Sequence, residues 1–196
     1  MSNVLQHIND AMAAMVERVR PGLVQISSGR GGRGAGTIWH PNGLIVTNAH
    51  VIHHATPQIT LADGRTLPAR VLATDDNADL AALTVAAGGL PAIAHTASWQ
   101  LQPGHWVLAL GHPWGITGAA TAGMVIDVGP PPELPRWRGE LIQVGMHLLP
   151  GYSGGPLVDG HGCLVGINTM MAGPEVGLAI PFPVIAAFLQ RTLGSV

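Results

Sequence analysis

The sequence has no lysine, one cysteine (Cys163), one tyrosine (Tyr152) and two phenylalanines in 196 residues, and only 10% of it is charged. An average soluble domain carries roughly 25% charged residues. The missing lysine excludes a Schiff-base nucleophile, a pyridoxal anchor and a Walker phosphate loop. A single cysteine excludes an internal disulfide, a four-cysteine zinc site and a CxxC redox pair, and Cys163 itself reads as a core residue. All nine cations are arginines, the net charge is −2 and no basic run occurs, which argues against a nucleic-acid surface.

Core material is plentiful, at 47% hydrophobic residues alongside 27 glycines and 16 prolines. The chain should therefore fold, as one compact domain or two small lobes sharing a core. Residues 1–20 hold no uninterrupted apolar stretch, because Asn9, Asp10, Glu17, Arg18 and Arg20 break it. That excludes a signal-peptide core or a membrane span there. The chain reads as soluble and cytoplasmic as it stands, or extracytoplasmic if a leader has been removed, so the compartment stays open. Leu5, Ile8, Met12, Met15 and Val19, at spacings of three and four, predict an amphipathic helix capped by Ser2 or Asn3 and stopped by Pro21-Gly22. It should pack on the domain or form an oligomer contact.

From Leu23 the pattern changes to short apolar runs bounded by Gly, Pro, Asn and Asp. Eleven are expected as strands: Leu23–Ile26, Gly36–Trp39, Leu44–Thr47, Gln58–Leu61, Arg70–Ala73, Leu80–Val85, Trp106–Leu110, Met124–Val128, Leu141–Val144, Cys163–Thr169 and Val176–Ile180. This is an all-β pattern, a sandwich or barrels. Pro183 opens a final helical run over Val184–Leu193. Gly29–Gly36 reads as a flexible turn, Pro130–Pro135 with Trp137 as a rigid hairpin connection, and the seam between two similar halves falls near Ser98–Pro103. No internal repeat is visible beyond the strand rhythm.

Three segments can carry chemistry. In Gly151-Tyr152-Ser153-Gly154-Gly155-Pro156-Leu157 a serine sits in a turn that can aim backbone N–H groups at one point, as an oxyanion hole requires. Thr47-Asn48-Ala49-His50-Val51-Ile52 places a histidine, the natural general base at neutral pH, at the end of an apolar strand. In Asp75-Asp76-Asn77-Ala78-Asp79-Leu80 only Asp79 directly precedes a strand, which suits a buried carboxylate that orients an imidazole. Taken singly, these are a glycine hairpin, a structural histidine and a turn cap. Together, in the order His50, Asp79, Ser153, they form an acyl-transfer triad, and without lysine no Ser-Lys dyad competes. His50, His53 and His54 could suggest a metal, but no glutamate follows His50 as HExxH needs.

These residues resemble the trypsin-like serine peptidases, and specifically the HtrA/Deg family. The matching stretches include Gly34–Ile38, Gly43–Val51, Asp79–Leu83, Leu110–Gly115, Pro150–Leu157, Gly166–Thr169 and Gly177–Pro181, in the family's order. The resemblance implies two packed six-stranded β-barrels with short terminal helices: helix 1–20, a first barrel over 21–100 with His50 and Asp79, a second over 101–183 with Ser153, and helix 184–196. It implies an oxyanion hole from the N–H groups of Gly151 and Ser153, and substrate pairing by strand addition along Ile167, Asn168 and Thr169. Met146, His147 and Leu148 would fall at the specificity pocket, which lacks an acid and so suits small or medium aliphatic side chains.

The chain departs from the family at Tyr152, where the family has Asn and trypsin relatives Asp, and at Gly145 and Leu149, where it has an acid and an Asn. No PDZ module is present in these residues. Family members commonly form trimers through N-terminal aromatics, and residues 1–30 contain none. The implied activity is an ATP-independent serine endopeptidase acting on unfolded or damaged polypeptides, with no cofactor and no metal. The alternatives are a non-proteolytic, chaperone-like peptide-binding module and a metal-dependent hydrolase.

Overall fold

The computed structural model describes residues 2–29, 32–53, 56–95, 101–131, 134, 137 and 139–194. In the first half the apolar runs become β1 (Leu23–Ser28), β2 (Gly32–His40), β3 (Leu44–Thr47), β4 (Gln58–Thr60), β5 (Thr66–Asp75) and β6 (Leu80–Val85). They pair antiparallel and close into a barrel in the order β1-β2-β3-β6-β5-β4. The second half supplies β7 (Trp106–Gly111), β8 (Ala119–Gly129), β9 (Leu141–Gly145), β10 (Pro156–Asp159), β11 (Leu164–Gly173) and β12 (Val176–Pro181). These close as β7-β8-β9-β12-β11-β10, which is the path of the first barrel repeated.

Of the twelve strands, only β10 has no counterpart among the expected runs, since the serine turn and Pro156 mask it. Most of Gly29–Gly36 is strand rather than turn, because β2 begins at Gly32; Arg30 and Gly31 lie outside the described residues. So do residues 98–100 of the expected seam and residues 132, 133 and 135 of the proline loop.

Each barrel has its own interior, Val24, Ile26, Ile38, Ile45 and Leu83 in the first and Val107, Ala109, Ile142, Leu157 and Val165 in the second. A third cluster fills the seam, where Leu44, Val46, Leu80 and Ala82 meet Leu108, Leu110, Val158 and Ile167. Alternate residues of β3 and β6 thus face the interior and the seam, so these strands are buried on both sides and read as continuous apolar runs.

Helix α1 (Ser2–Val19) buries Met15 and Val19 in the seam cluster and packs Met12 and Val16 against its margin. Leu5 and Ile8, expected on the same packed stripe, are exposed. No helix among the described residues is long and apolar enough to cross a membrane. Helix α2 (Phe182–Leu193) carries Pro183 in its first turn, where a missing N–H costs nothing, and buries Ile185, Phe188 and Leu189. Phe182, Trp39 and His95 form a ring cluster that ties α2 to the first barrel, with centroids 5.0–5.3 Å apart.

His112, just after β7, is buried at 8% exposure. Its Nδ1 accepts the Gly118 N–H at 3.2 Å, so the ring is neutral with its proton on Nε2. Burial lowers its pKa below the ordinary histidine value, with the Val24 carbonyl opposing the shift. Above the unfolded value of about 6.5 the ring is neutral in both states, and its burial is free of a protonation penalty. As pH falls through that value, the unfolded chain binds a proton that the folded chain resists, so stability is lost down to the lower folded value. In His112→Asn the amide oxygen can accept the same N–H without titrating. Thermal melts between about pH 8 and about pH 5 should show the wild-type Tm falling a few degrees more than that of His112→Asn, with the divergence beginning near pH 6.5.

Candidate active site

One chain of hydrogen bonds joins His50, Asp79 and Ser153. After β3 the backbone makes a single 3-10 turn, Ala49–Val51, that buries Ala49 and Val51 and leaves His50 outward. The His50 side chain is 48% exposed. Asp79 ends the turn before β6 with φ 51, the left-handed region that aspartate tolerates better than most residues. Asn48, fully buried, supports that backbone by donating its Nδ2–H to the Asp79 carbonyl at 3.0 Å.

The Asp79 carboxylate is buried and accepts three donors. These are the His50 backbone N–H at 3.1 Å, the His50 ring Nδ1 at 2.9–3.0 Å and the Thr169 hydroxyl at 2.6 Å. An ionised carboxylate can only accept, so Nδ1 carries the imidazole proton and Nε2 presents its lone pair. Thr169 also closes the circuit, because its carbonyl accepts the Ser153 hydroxyl at 2.8 Å. Among the described residues no hydrogen bond links Ser153 directly to His50. The Ser153 carbonyl accepts the Ala35 N–H at 2.8 Å, which fastens the serine turn to the first barrel.

The turn itself is built on Gly151, with φ +111. A Cβ there would fall 2.5 Å from the His112 carbonyl oxygen, so only glycine fits. The Gly151–Tyr152 peptide is held at both ends, its carbonyl by the His112 N–H at 2.9 Å and its N–H by the Leu149 carbonyl at 3.1 Å. The amides of Gly151 and Ser153 donate to no acceptor among the described residues.

The other expected positions are distributed unevenly. Leu148 lines a cavity of about 350 Å³ beside Ser153, together with Leu149, Pro150, Tyr152, Thr169, Met170 and Met171. Met146 is buried in the second barrel's core instead, and the His147 ring bonds the Pro174 carbonyl at 2.7 Å. Strand addition along Ile167 and Asn168 is contradicted, since their backbones are already committed on both sides. Ile167 pairs with Pro156 and with Ile180. The Asn168 N–H and carbonyl bond Gly155 and Gly154 at 2.9 Å each. The reason is β10, the strand missing from the expected set; the edge opposite Ser153 opens only from Thr169 onward.

Asn48 and the Thr169 hydroxyl are the parts that motif reading passed over. Both are polar residues inside apolar runs, which fold only with partners, and that was the available signal. Burial pushes the Tyr152 phenol above its ordinary pKa. The Cys163 thiol is also pushed up, by burial first and then by Asp159, away from a reactive thiolate. No group of three His, Cys, Asp or Glu able to hold a metal occurs among the described residues; His54 lies outside them.

The trypsin-like peptidase domain family matches residues 34–167, more than half of the chain. Mitochondrial serine protease HTRA2 of Drosophila pseudoobscura pseudoobscura is 36% identical over 164 residues, covering 81% of this chain and 38% of that protein. HhoB of Synechocystis sp. is 36% identical over 160 residues, covering 80% and 38%. The chain thus spans about two fifths of the length of the curated relatives it matches. The crystal structure of the serine endoprotease from Yersinia pestis superposes with a TM-score of 0.84 at 28% identity, over 92% of this chain and 66% of that one. Two six-stranded barrels and the domain match agree: the chain belongs to the trypsin-like peptidase domain family, and the relatives it resembles there are serine proteases named HTRA2 and HhoB.

Proposed function

We propose that this chain is a serine endopeptidase that cleaves unfolded or damaged polypeptides after aliphatic residues, with Ser153 as nucleophile, His50 as general base and Asp79 as the group that orients and stabilises the imidazole. The observation that carries this reading is the circuit His50–Asp79–Thr169–Ser153, which gives the imidazole its carboxylate partner and brings the Ser153 hydroxyl into the same hydrogen-bonded group. At rest the Ser153 proton points at the Thr169 carbonyl. An extended substrate lying along Thr169–Met171 would offer its own backbone N–H to that carbonyl, displacing the serine hydroxyl, which a rotation about one bond turns toward His50 Nε2.

The reaction then follows from the proton inventory. Nε2 takes the Ser153 proton as Oγ bonds to the carbonyl carbon, and the unpaired Gly151 and Ser153 amides receive the resulting oxyanion. The imidazolium, stabilised by ionised Asp79, returns the proton to the leaving amine. Water repeats the sequence to release the acyl group. Leu148, Leu149, Met170 and Met171 give the adjoining cavity apolar walls, which favour aliphatic over charged side chains.

A fluorophosphonate probe should label wild-type protein and leave Ser153→Ala unlabelled, and casein cleavage should vanish with the label. Labelled protein that never cleaves an unfolded chain would instead favour a peptide-binding module.

Thr169→Val removes one of the three donors to a buried carboxylate while keeping side-chain shape and the backbone carbonyl. A hydrogen bond to a charged group contributes about 1.5–3 kcal/mol, so kcat should fall by roughly 10- to 100-fold. Thr169→Ser should recover most of that loss. Steady-state kinetics on one peptide substrate measures both, and unchanged kcat in Thr169→Val would remove Thr169 from the mechanism.

A further inference from the structure

The triad chemistry makes no use of Tyr152, the chain's only tyrosine, although it sits next to the nucleophile. Only 4% of it is exposed. It belongs to the apolar interior of the second barrel with Val107, Ala109 and Leu157. It is seated against Gly111, the last residue of β7. A Cβ at Gly111 would lie 2.9 Å from Tyr152 Cδ1, 2.7 Å from Tyr152 Cα and 2.8 Å from the Gly151 carbonyl oxygen. The missing side chain at Gly111 therefore admits the ring and the turn backbone into the same seat. The phenol oxygen has no hydrogen-bond partner among the described residues, so the ring rather than the hydroxyl makes the attachment.

The position of this ring has a backbone consequence. Both peptides that meet at the Tyr152 Cα are pinned, one through the Gly151 carbonyl to His112 and the other through the Tyr152 carbonyl to the Gly155 N–H at 2.9 Å. The Ser153 N–H is the opposite end of that second peptide, so its direction is set by the same bond. Gly151, Gly154 and Gly155 leave the turn many alternative backbone conformations. Tyr152 is the one large side chain between Pro150 and Pro156, and it is the one able to select among them.

We propose that Tyr152 is a positioning residue: its ring, held on Gly111, fixes the Tyr152–Ser153 peptide and so keeps the Ser153 amide set for an oxyanion before substrate arrives, leaving the enzyme competent without an activating ligand. This rests on Ser153 being the nucleophile. A turn that samples other conformations is active only in proportion to its competent fraction, and that lowers kcat rather than substrate affinity.

The test uses the full chain, with Tyr152→Ala, Tyr152→Phe, Gly111→Ala and Ser153→Ala compared well below each variant's own Tm. Wild type should react with a fluorophosphonate without a lag or added peptide. Tyr152→Ala should lose about tenfold or more in kcat and in labelling rate with KM within about threefold, because losing even one oxyanion donor costs about 10²–10³. Gly111→Ala, which crowds the seat, should behave alike and carries the test if Tyr152→Ala does not fold. Tyr152→Phe should restore most of the loss.

Unchanged kcat in Tyr152→Ala would overturn the proposal. So would a raised KM at constant kcat, which would confine Tyr152 to its place in the cavity wall, or a Phe variant as impaired as Ala. A lag abolished by added peptide would refute ligand-free competence. Wild type that is unlabelled like Ser153→Ala would mark failure of the nucleophile assignment itself, a distinct result from labelled wild type with an insensitive Tyr152→Ala.

Discussion

Leu44, Val46, Leu80 and Ala82 turn away from the first barrel's interior and pack against Leu108, Leu110, Val158 and Ile167 of the second. This apolar seam is the constraint on which the site depends. His50 and Asp79 follow or precede the strands that form one side of it, and on the other side Ser153 precedes β10 and Thr169 lies within β11. Two barrels that could slide on each other would separate Thr169 from Asp79, leaving a buried carboxylate short of a donor, a cost of about 1–3 kcal/mol or more. The polar circuit and the apolar seam therefore support each other. The seam fixes the distance across which the circuit forms, and the circuit resists any register of the barrels other than this one.

The sequence makes some of this plain and hides the rest for identifiable reasons. Eleven strands are visible because each is a short apolar run closed by a turn residue. β10 is not, since it is four residues long and begins on a proline behind a glycine turn. Missing it moves the open edge: without β10, Ile167 and Asn168 look free, and with it they are interior. The shared path of the two barrels is equally hidden, because a repeat in hydrogen-bond topology requires only matching strand order and not matching residues. Helix α1 shows the reverse error, since its apolar periodicity is real but the surface it could cover ends at Met12, leaving Leu5 and Ile8 exposed. His50, Asp79 and Ser153 are legible because each stands beside an element boundary in a chain with few charged groups to confuse the choice.

The scarcity of charge also shapes how the site is held. With eleven acids and no lysine, the turn around Ser153 is fixed almost wholly by neutral means. Backbone bonds run from Ala35, His112 and Gly155, buried amides and hydroxyls fill gaps, and the Tyr152 ring occupies a glycine seat. Among described residues, Asp79 is the one acid classed as buried, and its donors are a ring nitrogen, an amide and a hydroxyl rather than a guanidinium. A strong cation beside it would hold the carboxylate's charge for itself and weaken its hold on an imidazolium. Neutral donors fix the carboxylate in place while leaving its charge available to His50.

Thr169 can serve both halves of the circuit because β11 is irregular at that point. Asn168 pairs with Ala179, but the register shifts before Met171 pairs with Gly177, so two residues of β11 face a single residue of β12. Such a bulge leaves backbone groups unpaired and re-aims the side chains around it. In a regular strand the Thr169 carbonyl and hydroxyl would be spent on the ladder or turned to the wrong face. Here the carbonyl is free for the Ser153 hydroxyl and the side chain reaches Asp79 in the other barrel. A local departure from ideal sheet geometry thus supplies both the acceptor that holds the Ser153 hydroxyl and the donor that anchors Asp79. Because both come from one residue, any displacement of β11 that loosens Ser153 must loosen Asp79 as well.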